Sequence, residues 1–457
     1  MYLADAAKAV KGTLHGDNLR FSSVSTDTRT IQPGDLFVAL KGPNFNGHDY
    51  VQQAADSGAI ALMVSEEVKT DLPQIRVENT LAGLGALGAA WKAQFTIKTI
   101  AITGSSGKTS VKEMAAAILS LKGETLATRG NFNNEIGVPL TLLSLTDKHQ
   151  YAVIELGANH IGEIAYTVSL VKPNVAAITN AGSAHIEGFG SRENIAKAKG
   201  EIYQGLVANG TAVINMDDAY CEYWQSITEG YAKMSFSLEN KGADVYASDI
   251  NVNTAGQYGF RLHVGDDSIL VQLKLLGAHN VLNAINAAAM TAPLDVDLET
   301  VRRGLESVEP IRGRLYPIPL DGGILIDDTY NANPASVKAA ADLLAELDVT
   351  TCMVLGDMAE LGTHAPSMHR EVGEYIALKG IEYLVAKGKH AADYLVGFSK
   401  FQSIEQKSAR FDEFHEVASY LQQEKPETVL VKGSRSAAME NVVHALCGTD
   451  ANDKRNH

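Results

Sequence analysis

The stretch that most constrains this chain runs from Thr99 to Leu121. Thr99–Thr103 (TIAIT) is a short run rich in β-branched residues. It passes directly into Gly104-Ser105-Ser106-Gly107-Lys108-Thr109-Ser110, and Val111, Met114, Ile118 and Leu121 then fall on one helical face. A strand, a glycine-rich turn and a helix N-terminus in that order make a phosphate site. The glycines let backbone N–H groups approach phosphate oxygens, and the helix dipole favours negative charge. A lysine then reaches the terminal phosphates, and a Thr or Ser hydroxyl can bind Mg2+. The match to G-x-x-x-x-G-K-[ST] is imperfect, because Ile102 stands at the first glycine position. A bland turn with an exposed lysine would explain GSSGKT alone. The strand before it and the helix after it favour nucleotide phosphate binding.

At 457 residues the chain exceeds one ordinary core, so several domains are expected. Its 45% hydrophobic and 20% charged content describe a globular protein with ample core, and a formal net charge of −15 argues against a nucleic-acid partner. Cys221, Cys352 and Cys447 are odd in number and far apart, which supports neither a disulfide framework nor a zinc site. The first residues (MYLADAAKAVKG) hold no apolar core of signal-peptide length, and no run approaches a membrane span. A cytoplasmic protein without membrane insertion is therefore expected.

The reading is α/β in three domains. Residues 1–82 hold the strand candidates Asp35–Leu40, Ala59–Ser65 and Ile75–Glu78, separated by turn-rich SVSTDTR and LKGPNFNGHDY. Leu81–Phe95 reads as a helix leading onward. Residues 83–310 alternate strand and helix, with YAVIEL, VAAITN and TAVIN after the phosphate loop, as suits a mostly parallel sheet covered on both faces. Alternation through Phe260, Leu262 and Val264, then Leu270, Val271, Leu273 and Leu275, predicts a hairpin or small antiparallel addition. Residues 311–457 read as a second, Rossmann-like α/β unit with strands at Ile324–Asp327, Cys352–Leu355, Tyr383–Ala386 and Thr428–Val431. The Asn/Asp/Lys/His tail after Gly448 is expected to be disordered.

Ligands in such sheets sit at the carboxyl ends of strands. Glu155 interrupts an apolar strand end, which suits either an Mg2+ ligand or a carboxylate paired with a nearby Lys or Arg. His185 follows a strand in a glycine-rich loop, although Mg2+ prefers oxygen ligands. Ser191–Gly205 reads as a helix with Ser191 as N-cap, on which Lys197 and Lys199 would ordinarily be solvated. Asn280 and Asn283, three apart, share a helix face.

Together STDTR, ALKG…FNGHDY, TGSSGKTSVKEM, TRGNFNNEIGVPLTLL, VIELGANHIGEI, NAGSAHIEGFGS, ENIAKAKGEI, GAHNVLNA, GRLYPI, DDTYNANPAS, VLGDMAELG and VKGSRS resemble the Mur ligases over essentially the whole chain. These are ATP-dependent amino acid ligases of peptidoglycan precursor synthesis. NFNNEIGVPLTLL and DDTYNANPAS point to the branch that adds D-alanyl-D-alanine to UDP-N-acetylmuramoyl-tripeptide. The resemblance implies that Lys199 is carbamylated and shares Mg2+ with Thr109, Glu155 and His185. It implies that Lys108 neutralises the moving phosphoryl group and that Asn280 and Asn283 meet the adenine. Arg314, Asp328 and Asn331 would close on ribose and phosphates. Ser25, Thr26, Asp27, Arg29, Lys41, Asn46 and His48 would hold the UDP moiety. Asn131, Asn133 and Asn134 would contact the sugar-peptide, with Lys432 and Ser434 at the stem peptide or dipeptide. A monomer that closes its third domain onto the second is the implied form. The alternatives are a sibling ligase adding the third amino acid, a folylpolyglutamate synthase, or a non-ligase P-loop ATPase. No D-N-P-R stretch for an incoming diamino acid is found.

Overall fold

Three sheets organise the molecule, whose computed structural model describes residues 1–182, 186–253 and 256–448. The first sheet has five short strands, ordered Thr13–His15, Gln74–Arg76, Ala61–Val64, Leu36–Val38 and Val24–Ser25 from edge to edge. All pairs are parallel except that of Thr13–His15 with Gln74–Arg76. Leu36, Val38, Ala61, Met63 and Ile75 pack beneath the helix Leu3–Ala9 and against Leu84 and Leu87. Those two leucines lie on the helix Thr80–Lys92, whose N-cap Asn79 accepts a hydrogen bond from the Ala82 N–H (3.0 Å).

The second sheet has nine strands. Their order is Thr125–Ala127, Tyr151–Glu155, Lys98–Thr103, Val175–Ile178, Thr211–Asn215, Ala232–Ser237, Val245–Val252, Gln257–Val264 and Asp267–Leu276. Pairing is parallel as far as Val245–Val252, and the last two strands are antiparallel additions. The expected hairpin therefore exists, but it extends the main sheet. Ile100 and Ile102 enter a core with Val111, Met114 and Ile118, while Ala101 faces the opposite core with Ile154 and Ile178. Burial on both faces explains why these strands read as apolar runs without alternation. The helix after the glycine-rich loop spans Lys108–Ser120, so Leu121 lies past its end and is exposed.

The third sheet has six strands, ordered Tyr316–Leu320, Gly323–Asp328, Thr428–Lys432, Thr351–Leu355, Tyr383–Lys387 and Lys407–Phe411, parallel after the first pair. The edge strand Lys407–Phe411 and the hairpin strand Tyr316–Leu320 carry too little apolar signal to stand out in the sequence. Residues 449–457, where disorder was expected, lie outside the described residues. Leu276 from the second sheet joins the third unit's core beside Leu315 and Leu343, and the Tyr258 hydroxyl donates to Glu346. These contacts hold the third unit beside the second, and a cleft opens between them. Among the described residues no helix is long and apolar enough to cross a membrane, and all three cysteines are free.

Candidate active site

Strand Lys98–Thr103 delivers Gly104–Thr109 to a cleft of about 520 Å³. Gly104 has φ +152°, and a Cβ there would lie 1.7 Å from Thr179 Oγ1. Gly107, with φ +78°, is the N-cap of the following helix, and a Cβ there would come within 2.6 Å of Asn283 Oδ1. Both positions therefore require glycine. The loop is anchored from behind: Ser105 N–H donates to the Asn180 carbonyl (3.0 Å) and Ser106 N–H to Asn180 Oδ1 (3.1 Å). Thr179 Oγ1 donates to the Ser106 carbonyl (2.6 Å). No side chain caps the helix at Gly107, so its first-turn N–H groups are left for an anion.

Lys108 Nζ donates to the Gly104 carbonyl (2.8 Å), curling over the loop. Burial pushes its pKa below the usual lysine value, Glu155 opposes that shift, and Arg314 adds to it. Glu155 is 2% exposed and accepts from Thr109 Oγ1 (3.0 Å) and Asn133 Nδ2 (2.8 Å). No Lys or Arg is ion-paired with it among the described residues, although the Lys108 charge lies near enough to interact with it. A buried carboxylate beside a hydroxyl and a phosphate loop is an oxygen donor set that fits Mg2+. Among the described residues no group of three His, Cys, Asp or Glu side chains converges as a metal cluster. His185, expected at this site, lies outside the described residues.

Lys199 departs from the plain reading of its helix. That helix runs Arg192–Gly200 with Ser191 accepting from Asn194 N–H (3.1 Å), then tightens to a 3-10 turn over Glu201–Gly205. Lys197 is solvated and pairs with Glu193 (2.9 Å), as its i,i+4 spacing suggests. Lys199 is 1% exposed, lines the cleft, and packs with Nζ 5.9 Å from the Phe189 ring centre. Burial drives its pKa well below the usual lysine value, with the Lys108 ammonium adding to the effect. A signal was available: Ile195, Lys199 and Ile202 form one i, i+4, i+7 row whose other members are fully buried.

The third unit supplies the opposite wall. Arg314 reaches across to donate to Thr109 Oγ1 (3.0 Å) and lies over the Tyr330 ring, 4.1 Å from its centre. Lys432 Nζ, itself buried, pairs with the largely buried Asp328 (2.6 Å) and donates to the carbonyl of the exposed Asn331 (2.8 Å), so it ties these two residues together. Burial raises the Asp328 pKa despite that lysine. Asn280 and Asn283 are both buried, and Asn283 Nδ2 donates to Asn280 Oδ1 (2.8 Å). Asn131 and Asn134 also line the cleft, and Asn134 Oδ1 accepts from the Gly137 N–H (2.9 Å) at the start of the helix Gly137–Leu143. Ser110, in the first turn of the helix Lys108–Ser120, lines the cleft as well. Ser434 is 1% exposed and donates to the Asp357 carbonyl (2.6 Å) outside the cleft lining. Asn180 and Tyr330, which the sequence places in polar clusters at strand ends without a role of their own, line the cleft too, as does His279, which the sequence reading did not single out. Asn180 stood in a quoted strand end, but nothing in its neighbours revealed that it clamps the loop.

The candidates in the first unit form a separate group, and none lines this cleft. Ser25 Oγ donates to the Asp27 carbonyl (2.9 Å), with Thr26 half-buried between them. Arg29 clamps Asp27 (2.6 Å) and holds its carboxyl below the usual range. Lys41 pairs with Glu66 (2.6 Å), which also accepts from Asn46 Nδ2 (3.2 Å). His48 is buried, with Nδ1 against Asn46 Oδ1 (2.7 Å) and Nε2 accepting from Ser65 N–H (2.9 Å).

Known proteins match this arrangement throughout. The family models "Mur ligase family, catalytic domain", "Mur ligase middle domain" and "Mur ligase, glutamate ligase domain" match residues 20–117, 102–291 and 313–435. The UDP-N-acetylmuramoyl-tripeptide–D-alanyl-D-alanine ligase of Escherichia coli (strain K12) is 44% identical, covering 97% of this chain and 98% of its own. A crystal structure of MurF from Acinetobacter baumannii superposes with TM-score 0.91 at 38% identity, covering 98% of each chain. MurF ligase from Thermotoga maritima in complex with ADP superposes with TM-score 0.83 at 27% identity, covering 94% of this chain and 98% of its own.

Proposed function

The chain belongs to the Mur ligase family, and on that premise we propose that it joins D-alanyl-D-alanine to UDP-N-acetylmuramoyl-tripeptide, coupled to cleavage of ATP to ADP and phosphate. The observation that carries this reading is the cleft. It gathers a phosphate loop, a buried carboxylate and a buried lysine from one unit against Arg314, Asp328 and Asn331 from another. A carboxylate is a poor electrophile, so the tripeptide terminus is first phosphorylated to an acyl phosphate. The free amine of the dipeptide then attacks the acyl carbon, and phosphate leaves from a tetrahedral intermediate.

The residues divide the work. First-turn N–H groups of Lys108–Ser120 and the Lys108 side chain hold the terminal phosphates, and Arg314 adds positive charge from the opposite wall. Thr109 and Glu155 are the oxygen ligands that would hold Mg2+, which when bound neutralises phosphate charge. Asn283 and Asn280 face the base. Asn131, Asn133 and Asn134 orient the sugar-peptide, while Ser434 and Lys432 brace the dipeptide side. Residues 1–82 anchor the UDP moiety through the Ser25–Arg29 turn and the Lys41–His48 loop, 83–310 bind ATP, and 311–457 close over it to exclude water from the acyl phosphate. Lys199 is a buried amine in the lining of the cleft, and burial holds its pKa well below the usual lysine value. Addition of CO2 with loss of one proton would convert it to a carbamate, an anion suited to a metal site. Free cysteines and soluble nucleotide substrates support action in the cytoplasm.

The test is release of ADP and phosphate by purified protein given ATP, Mg2+ and UDP-N-acetylmuramoyl-tripeptide, with and without D-alanyl-D-alanine. Release that requires both substrates, with a product heavier by the dipeptide, is expected. Release indifferent to the dipeptide would refute the ligase reading.

A further inference from the structure

Lys112 is among the largest fully buried side chains of the molecule, 1% exposed, and the mechanism above makes no use of it. It lies three residues after Thr109 and four after Lys108, hence on the same side of the phosphate-loop helix. Its Nζ donates to the Thr128 carbonyl (2.6 Å) and pairs with the half-exposed Glu113 carboxylate (2.6 Å). Burying an ammonium is costly, and a methionine would fill the same volume without that cost. A lysine here calls for a reason in what it holds.

What it holds is the end of a strand. Thr128 follows Thr125–Ala127 and continues its pairing, donating its N–H to the Val153 carbonyl (3.1 Å). Its hydroxyl oxygen accepts from the Glu155 N–H (3.0 Å). Glu155 in turn accepts from Thr109 Oγ1 (3.0 Å), which returns the path to the helix that carries Lys112. Lys112, Thr128, Glu155 and Thr109 thus form a circuit of three hydrogen bonds that the helix backbone between Thr109 and Lys112 closes. Immediately after Thr128 comes the loop that brings Asn133 Nδ2 to the other Glu155 oxygen (2.8 Å).

We infer that Lys112 is a positioning residue: by pinning Thr128 to the phosphate-loop helix, it fixes where the Glu155 carboxylate stands relative to Thr109. The inference rests on the proposed role of Glu155 as a metal ligand. The ammonium touches neither nucleotide nor metal in this scheme. It acts by locking two strand ends and one helix into a single register, because a carboxylate free to drift loses its favourable geometry toward a cation.

The experiment is direct titration of Mn2+, as a stand-in for Mg2+, in the presence of ADP, followed by electron paramagnetic resonance. Lys112→Met, Thr128→Val, the double variant and Glu155→Gln are compared with the parent protein. Lys112→Met and Thr128→Val are each expected to weaken Mn2+ binding about tenfold, at the low end for groups behind a metal ligand. Metal-free ADP affinity should stay as in the parent. The double variant should be little weaker than the weaker single one, because both break one circuit. If Glu155→Gln loses Mn2+ while Lys112→Met and Thr128→Val bind it as the parent does, Lys112 only fills the core and the inference is wrong. If Glu155→Gln itself leaves Mn2+ binding unchanged, the metal reading of Glu155 fails and takes the inference with it. Should Lys112→Met not fold, Lys112→Gln is read in its place by the same titration, because Thr128→Val keeps the carbonyl to which Lys112 donates.

Discussion

Replacing Lys199 by methionine should stabilise the protein while abolishing its activity. In the fold the side chain is 1% exposed, and burial followed by the nearby Lys108 charge holds its pKa well below the usual value. In the unfolded chain the same amine has an ordinary pKa near ~10.4. If burial leaves the folded amine neutral at pH 7.4, folding strips a proton that the amine would keep in water, at a cost of about 4 kcal/mol. The sign follows from proton counting. Between the depressed folded value and ~10.4 the unfolded state binds one more proton, so parent stability rises with pH by about 1.4 kcal/mol per unit. The penalty is absent above ~10.4, grows as pH falls through that window, and is constant below the folded value. Lys199→Met has no such proton, so its advantage should be largest at the acid side and shrink toward pH 10. Trp224 offers the reporter, since it is buried and its Nε1–H donates to the Ala196 carbonyl (3.1 Å) on the same helix as Lys199. Urea unfolding is followed by its fluorescence in a Trp91→Phe background, in CO2-depleted buffer from pH 7 to 10. A difference between Lys199→Met and parent that stays flat over this range would show that the lysine is charged in the fold, and would refute the reasoning. Added bicarbonate should then stabilise the parent and leave Lys199→Met unmoved.

Three further outcomes follow from the geometry. Gly107→Ala places a Cβ at φ +78°, 2.6 Å from Asn283 Oδ1; strain of about 1–2 kcal/mol plus the displaced asparagine should weaken ADP binding at least about tenfold by calorimetry, with the rest of the fold intact. Lys432→Met leaves the buried Asp328 carboxylate without its partner (2.6 Å in the parent) and should destabilise the third unit by about 3–5 kcal/mol in thermal melting, with Asp328→Asn in the same chain recovering part of the loss. Asp27→Ala removes the partner of an exposed arginine; it should leave the melting temperature unchanged while raising KM for the UDP-linked substrate and sparing KM for ATP.

Much of this molecule was legible in its sequence because both faces of the parallel strands are buried. Such strands read as unbroken apolar runs ending in polar clusters, and those ends are where an α/β sheet presents its ligands. The phosphate loop, Glu155 and the paired Asn280 and Asn283 are local features of this kind. The five-residue strand Lys407–Phe411 and the hairpin strand Tyr316–Leu320 escaped, since edge strands bury little and carry no such run.

Side-chain environment is where local reasoning ended. Lys197 and Lys199 lie two residues apart on one helix, yet one is solvated beside Glu193 and the other is sealed under Phe189. Periodicity names the face a residue takes, but only packing decides whether that face meets solvent or another wall. The same holds for Lys112 and Thr128, which lie 16 positions apart and meet because a parallel sheet sets the strand end Thr128 beside the helix. Arg314 and Thr109 lie 205 positions apart and meet across two units. The sequence by itself determined the strands, the loop and the chemistry each residue can offer, because backbone preference and hydrophobic pattern act over a few residues. The tertiary structure alone decided which charges are buried, which are paired and which face one another, because burial and Coulomb energy depend on distance in space.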